Sequence, residues 1–101
     1  MKVLFICCAG MSTSLLVEKV IKVAKERNVE MDLAAMGEAE ARSQLKDADV
    51  ILLGPQVRYL ERSMGKELEG TDVKLGVVDM LAYGRMDGAK VLDQILQLAQ
   101  G

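Results

Sequence analysis

No histidine occurs among the 101 residues. Any imidazole that the chemistry needs must therefore come from another protein, and a histidine-based metal site is excluded. Tryptophan is absent too. Phe5, Tyr59 and Tyr83 are the only aromatics, so a core has to be built from Val, Leu, Ile, Met and Ala. With no aromatic stacking platform and no block of Lys or Arg, the chain carries no footprint for nucleic acid. No apolar run approaches the roughly 18 residues of a membrane span. The first six residues lead into a turn of small residues, not into a signal-peptide apolar region and cleavage site. The cysteines are two and adjacent, Cys7 and Cys8. Consecutive strand residues face opposite ways, which suits neither a disulfide nor a shared metal, and CxxC spacing is missing. Reduced thiols then place the chain in the cytosol, and nothing calls for a metal or a cofactor.

Half of the residues are apolar, and 13 basic against 15 acidic residues leave a formal charge of −2. That suffices for one packed core. No repeat, linker or low-complexity stretch divides the chain, so residues 1–101 are expected to form a single domain.

Val3–Cys7 (VLFIC) is a continuous apolar run, as in a strand buried on both faces. After a break at Ala9–Thr13, Ser14–Arg27 turns helical, with Leu16, Val20, Val23 and Ala24 on one face and Glu18, Lys19, Lys22 and Glu26 on the other. Ser12 or Thr13 is expected to cap this helix and Asn28 to stop it. Glu30–Met36 reads as a strand with Met31, Leu33 and Ala35 on one face. Glu38–Lys46 reads as a short helix with Ala41 and Leu45 inward, and Val50–Leu53 as a strand. Gly54-Pro55-Gln56 breaks the pattern before a helix over Val57–Leu68. Lys74–Val78 is a fourth strand, Met80–Met86 is irregular with Gly84 a stop, and Gly88–Ala99 is a last helix. Strands alternating with helices imply a parallel sheet covered on both faces. The expected fold is α/β, an open doubly wound four-stranded sheet with the first strand central. In such sheets ligands bind at the carboxyl ends of the strands, near the switch point, where the loop after Cys7 falls.

Cys8, Ala9, Gly10, Met11, Ser12, Thr13 and Ser14 follow Cys7 as a run of small and hydroxyl-bearing residues that opens a helix. A helix start offers unpaired N–H groups and partial positive charge, a loop folded over it makes an anion site, and Gly10 permits backbone angles that a side chain forbids. The same field favours the thiolate of a nearby cysteine. Cysteine also serves as a small buried apolar filler, and for Cys8 that reading, or a purely main-chain role, is the better one. The spacing resembles the Cys-x5-Arg phosphate loop of low-molecular-weight tyrosine phosphatases, but Thr13 stands where their arginine would. Lacking that guanidinium and a general acid, the loop is suited to hold a phosphoryl group without hydrolysing it.

Cys7–Leu16, reading CCAGMSTSLL, resembles the phosphorylation loop of the IIB components of the sugar phosphotransferase system. The resemblance is closest to the lactose, cellobiose and chitobiose family, whose loop reads C-[SA]-[AG]-G-M-S-T-S-L-L or similar. Asp49–Gln56 (DVILLGPQ) and Asp79–Gly88 (DMLAYGRMDG) resemble further stretches of that family at the right places. The resemblance implies a cysteine carrier: phosphohistidine on a IIA component donates to Cys7, and a sugar held by the membrane IIC component, such as cellobiose, chitobiose or lactose, accepts. It also places the protein in the cytoplasm, peripheral to the membrane through IIC. Cys8 departs from the small residue, often Ser, that the family has there. Gln56 and Tyr83 are expected near the same edge as contacts to phosphate or partner, although Gln56 equally suits a helix-starting turn, and packing against the sheet suits Tyr83 better. Asp79 is expected to cap a helix, Met11 to offer a docking contact, and Arg58, Arg62 and Arg85 to steer acidic partners or merely to face solvent. Two other functions remain open from residues alone: a phosphatase or arsenate-reductase-like thiol enzyme, and a regulatory anion-binding module.

Overall fold

The computed structural model describes residues 1–8 and 11–100, without the side chains of residues 11–13. The apolar run near the start forms β1 (Lys2–Ile6), and Val3, Leu4, Phe5 and Ile6 are wholly buried. A strand needs water on neither face only when helices cover both, and that is what the rest of the chain supplies. The other strands are β2 (Asp32–Met36), β3 (Val50–Leu53) and β4 (Lys74–Val77). All pairings are parallel and the spatial order is β2-β1-β3-β4. The first strand is central, as expected.

Alternation along β1 and β3 sorts the core into two layers. Val3, Phe5, Val50 and Leu52 pack with α1 (Met11–Glu26) and α5 (Gly88–Gln100). Leu4, Ile6, Ile51 and Leu53 pack against the opposite layer, from α2 (Glu38–Arg42), two 3-10 turns (Leu45–Asp47 and Pro55–Leu60) and α3 (Glu61–Glu67). The fourth α-helix in chain order, α4 (Met80–Gly84), links β4 to α5.

Several local expectations shift. Helix α1 begins at Met11 rather than Ser14, so Ser12 and Thr13 lie inside it instead of capping it. Leu16, Val20 and Ala24 are its buried stripe, joined by Val17, while Val23 is only half-buried. Asn28 does end the helix: at φ 58° it occupies the left-handed region, with Val29 N donating to Ala24 O and Asn28 N to Lys25 O, a Schellman closure. In β2, Leu33 and Met36 are buried but Ala35 is exposed, because β2 is an edge strand that the helices cover incompletely. The helix expected over Glu38–Lys46 is α2 plus a separate 3-10 turn, and Ala41 and Leu45 are buried all the same. The one expected over Val57–Leu68 is likewise divided, a 3-10 turn kinked at Val57 running into α3, with Val57, Leu60, Met64 and Leu68 on the core side.

The largest departure is Met80–Met86, expected to be irregular. It contains α4, which closes by a second Schellman pattern: Asp87 N donates to Ala82 O and Met86 N to Tyr83 O. The left-handed residue is Met86 (φ 53°), not Gly84, which is the last helical residue. Arg42 pairs with Glu38 within α2 and joins α2 to α3 through Glu67. The hydrogen bond that Arg42 donates to Glu38, above all, holds its guanidinium above the ordinary value.

Candidate active site

The chain leaves β1 for β2 on one side and later crosses to β3 on the other, so the switch point lies between β1 and β3. Cys7 is the first residue beyond β1 there. Its N–H donates to Met36 O at 3.0 Å, and Gly54 N donates to Ile6 O at 2.8 Å. The ladder thus continues past the strand ends and holds Cys7 between β2 and β3.

Cys7 is 5% exposed and packs at the carboxyl end of the α1/α5 layer, whereas Cys8 is exposed. Neighbouring residues alternate, as the strand geometry demands. The thiol therefore forms the floor of the sheet edge, and a reactant has to be brought down to it. Of the expected anion loop, Ala9 and Gly10 lie outside the described residues, as do the side chains of Met11, Ser12 and Thr13. The described part gives the frame: a cysteine at the end of the central strand and a helix that starts at Met11.

Gly54 explains how β3 comes so close. A Cβ at that position would stand 3.3 Å from Ile6 O and 3.4 Å from Cys7 Cβ. Glycine allows the backbone to pass directly beside the thiol residue. Two residues later, Gln56 Nε2 donates to Tyr83 Oη at 3.3 Å. The Tyr83 ring stacks on Phe5, with centroids 6.4 Å apart and planes at 26°. Tyr83 therefore packs against the sheet while its hydroxyl meets Gln56, and the two loops that follow β3 and β4 are bridged at the Cys7 edge.

Asp79 is a cap: its Oδ2 accepts from Ala82 N at 3.0 Å. Asp87 Oδ1 accepts from Lys90 N at 3.1 Å, at the start of α5. Both carboxylates are thereby committed to helix starts. Behind Asp79 stands Gln94 of α5, which the sequence did not single out. Its Oε1 accepts from Asp79 N at 2.8 Å and its Nε2 donates to Val77 O at 2.7 Å. The side-chain amide closes the β4–α4 junction as a neighbouring strand would. No short-range pattern announces it, because the partners lie 15 and 17 residues away. Arg58, Arg62 and Arg85 are exposed and join no ion pair among the described residues.

The described site is thus a cysteine at the switch point of the sheet, in a chain without histidine. Residues 2–94 match the family described as PTS system, Lactose/Cellobiose specific IIB subunit. The chain is 39% identical over 97 residues to the PTS system oligo-beta-mannoside-specific EIIB component of Bacillus subtilis (strain 168), covering 96% of this chain and 94% of that one. It is similar in structure to the cellobiose-specific phosphotransferase IIB component from Borrelia burgdorferi, with a TM-score of 0.78 and 31% identity over 99% of this chain and 92% of that one. The fold is also that of the lactose-specific IIB component domain from Streptococcus pneumoniae, with a TM-score of 0.85 at 21% identity, covering 97% of this chain and 96% of that chain. The chain belongs to the lactose/cellobiose-specific IIB subunits of the sugar phosphotransferase system, and its activity is phosphoryl transfer in sugar uptake.

Proposed function

We propose that Cys7 is the residue that carries the phosphoryl group, taking it from phosphohistidine on a IIA component and passing it to a sugar held by a IIC permease. IIB components work with components of these two kinds. The thiolate sulfur attacks phosphorus, the P–N bond breaks, and the imidazole nitrogen leaves with the electron pair. In the second step a sugar hydroxyl oxygen attacks, the S–P bond breaks, the hydroxyl proton passes to a base outside this chain, and the thiolate is restored. The residues from Cys8 to Ser14 receive the phosphoryl oxygens, chiefly through main-chain N–H groups. Gln56 and Tyr83, already joined to each other, are the side chains beside that site.

The observation that carries this reading is the position of Cys7, beyond the end of the central strand at the β1/β3 switch point, in a chain without histidine. The sugar is a β-linked disaccharide or related oligosaccharide, in keeping with the relatives named for oligo-β-mannoside and cellobiose. The protein works in the cytoplasm and meets the membrane through the permease. No described helix is long and apolar enough to cross a membrane.

The test is mass spectrometry of the protein after incubation with a phosphorylated IIA component. One phosphoryl group is expected on the peptide that begins at Met1, retained in Cys8→Ala and lost in Cys7→Ser. Label that survives in Cys7→Ser and vanishes in Cys8→Ala moves the role to Cys8. Steady hydrolysis of a small phosphomonoester by the isolated protein assigns it to a thiol phosphatase instead.

A further inference from the structure

Three atoms meet over Gly54. A Cβ built on that glycine would stand 3.3 Å from Gln56 Oε1, 3.3 Å from Ile6 O and 3.4 Å from Cys7 Cβ. The carbonyl end of the Gln56 side chain therefore lies on the Cys7 side. Its amino end is turned to Tyr83, with Nε2 donating to Oη at 3.3 Å. Tyr83 is itself held in place. Its ring stacks on Phe5, which is wholly buried in the central strand. The helix that carries it, α4, is capped by Asp79 and closed after Met86.

This orientation suits only one state of a cysteine carrier. A free thiol is a weak donor and sits without conflict beside carbonyl oxygens. A phosphoryl group on the same sulfur is anionic, and its oxygens only accept. Gln56 Oε1 beside it would set acceptor against acceptor. A carboxamide, however, carries its donor and its acceptor on opposite sides of one torsion, and a tyrosine hydroxyl can accept or donate. Half a turn about that torsion exchanges the two ends without breaking the bridge to Tyr83. The torsion is a broad, two-fold one, and Gln56 is exposed, so no packed group has to move.

We propose that the Gln56 side chain turns over when Cys7 is phosphorylated, so that Nε2 donates to a phosphoryl oxygen, and that Tyr83 is the positioning residue that holds the amide in both orientations. In the free protein Tyr83 Oη accepts from Nε2; in the phosphorylated protein the Tyr83 hydroxyl donates to Oε1. The proposal rests on the carrier role of Cys7. The loops after β3 and β4 stay bridged in either state. Phosphorylation is answered by a reversal of hydrogen-bond direction, and the backbone does not move. The turned amide stabilises the S-phosphate relative to the thiol, because a hydrogen bond to a charged group is worth more than a neutral one.

The test uses the full chain, isotope-labelled for NMR and phosphorylated by the phosphorylated IIA component of a lactose/cellobiose-class system. Tyr59 and Tyr83 are the only tyrosines, and Tyr59, 71% exposed, serves as the internal reference. On phosphorylation the Gln56 side-chain amide and the Tyr83 Cζ resonance are both expected to move, Cζ in the direction of a hydroxyl that has become a donor, while Tyr59 stays. In Gln56→Leu the Tyr83 shift is expected to vanish. The equilibrium constant for taking the phosphoryl group from the donor is expected to fall about tenfold or more in that variant, as for a lost hydrogen bond to a charged group. Tyr83→Phe keeps the stack on Phe5. It is expected to lower the constant about threefold in the parent and to change nothing further in Gln56→Leu, because Tyr83 acts through Gln56. A Tyr83 that served packing alone would lower it equally in both backgrounds, which overturns the proposal. So does a phosphorylated parent whose Gln56 amide and Tyr83 Cζ resonances coincide with those of the free protein, or a Gln56→Leu constant within about twofold of the parent. A parent that takes no label on Cys7 brings down the carrier role itself and is recognised before any spectrum is compared.

Discussion

A methyl group at position 88 has nowhere to go. A Cβ there would stand 2.8 Å from both C and O of Lys19, so α1 and α5 meet at this glycine with main chain against main chain. Helix propensity alone would favour alanine by up to about 1 kcal/mol. Overpacking against backbone costs about 1–3 kcal/mol, and because a backbone cannot rotate aside, the clash prevails. Gly88→Ala is expected to lower the urea midpoint, with a net loss of about 1–2 kcal/mol at unchanged m-value. Gly76 is the contrast. Its added Cβ would meet Leu98 Cδ1 at 2.9 Å, the far end of a flexible side chain, so Gly76→Ala is expected to cost less than half as much in the same titration. Neither glycine stands out in the sequence, since close approach between elements distant along the chain leaves no local signature. Cys7 is the opposite case. Its place at a strand end was legible from the apolar run before it, but its near-complete burial depends on Gly54 passing beside it.

Gln94 and α4 belong together. The segment after β4 lacks a clean helical stripe, because in five residues only Ala82 and Tyr83 turn towards the core. That is why it read as irregular. Its geometry is set instead by Asp79 at one end, by the left-handed Met86 at the other, and by Gln94 reaching in from α5. Gln94→Leu keeps the volume and removes both hydrogen bonds, leaving Val77 O and Asp79 N without a protein partner. The expected cost is about 1–2 kcal/mol for two neutral hydrogen bonds at a partly exposed site. Faster hydrogen exchange at the Asp79 amide is expected with it. Gln94→Glu keeps the acceptor for Asp79 N and loses the donor to Val77 O, so it should protect the Asp79 amide while still lowering stability. Equal exchange in the parent and both variants would show that α4 is held by packing alone. Helices α1 and α5 were easier to read, because each is long enough to show its period: Leu16, Val20 and Ala24 in α1, and Val91, Leu92 and Ile95 in α5, are buried as their spacing demands.

Both layers of the core are built on the same two strands, since β1 and β3 send alternate residues to each face. Unfolding one layer strips one face of the shared strands, so the layers are expected to melt together. Leu92→Ala in the α1/α5 layer and Leu60→Ala in the opposite layer are each expected to cost about 2–5 kcal/mol. Far-ultraviolet circular dichroism and tyrosine fluorescence should still follow one coincident transition in both variants. Two separated transitions would show that the layers are independent. With a radius of gyration of 12.3 Å the chain has the dimensions of a folded domain of this size. At this scale the division of labour between sequence and tertiary structure is plain. Hydrophobic period and the alternation of strand and helix by themselves determined the class of fold, the buried faces, the centrality of β1 and the placement of Cys7 at a strand end, because those features depend on residues within a few positions of one another. The 3-10 breaks, the helix after β4, the amide of Gln94 and the approach of Gly54 to Cys7 were decided only by the tertiary structure. Each of these arises where segments far apart in the chain compete for the same space, and no local pattern records that competition.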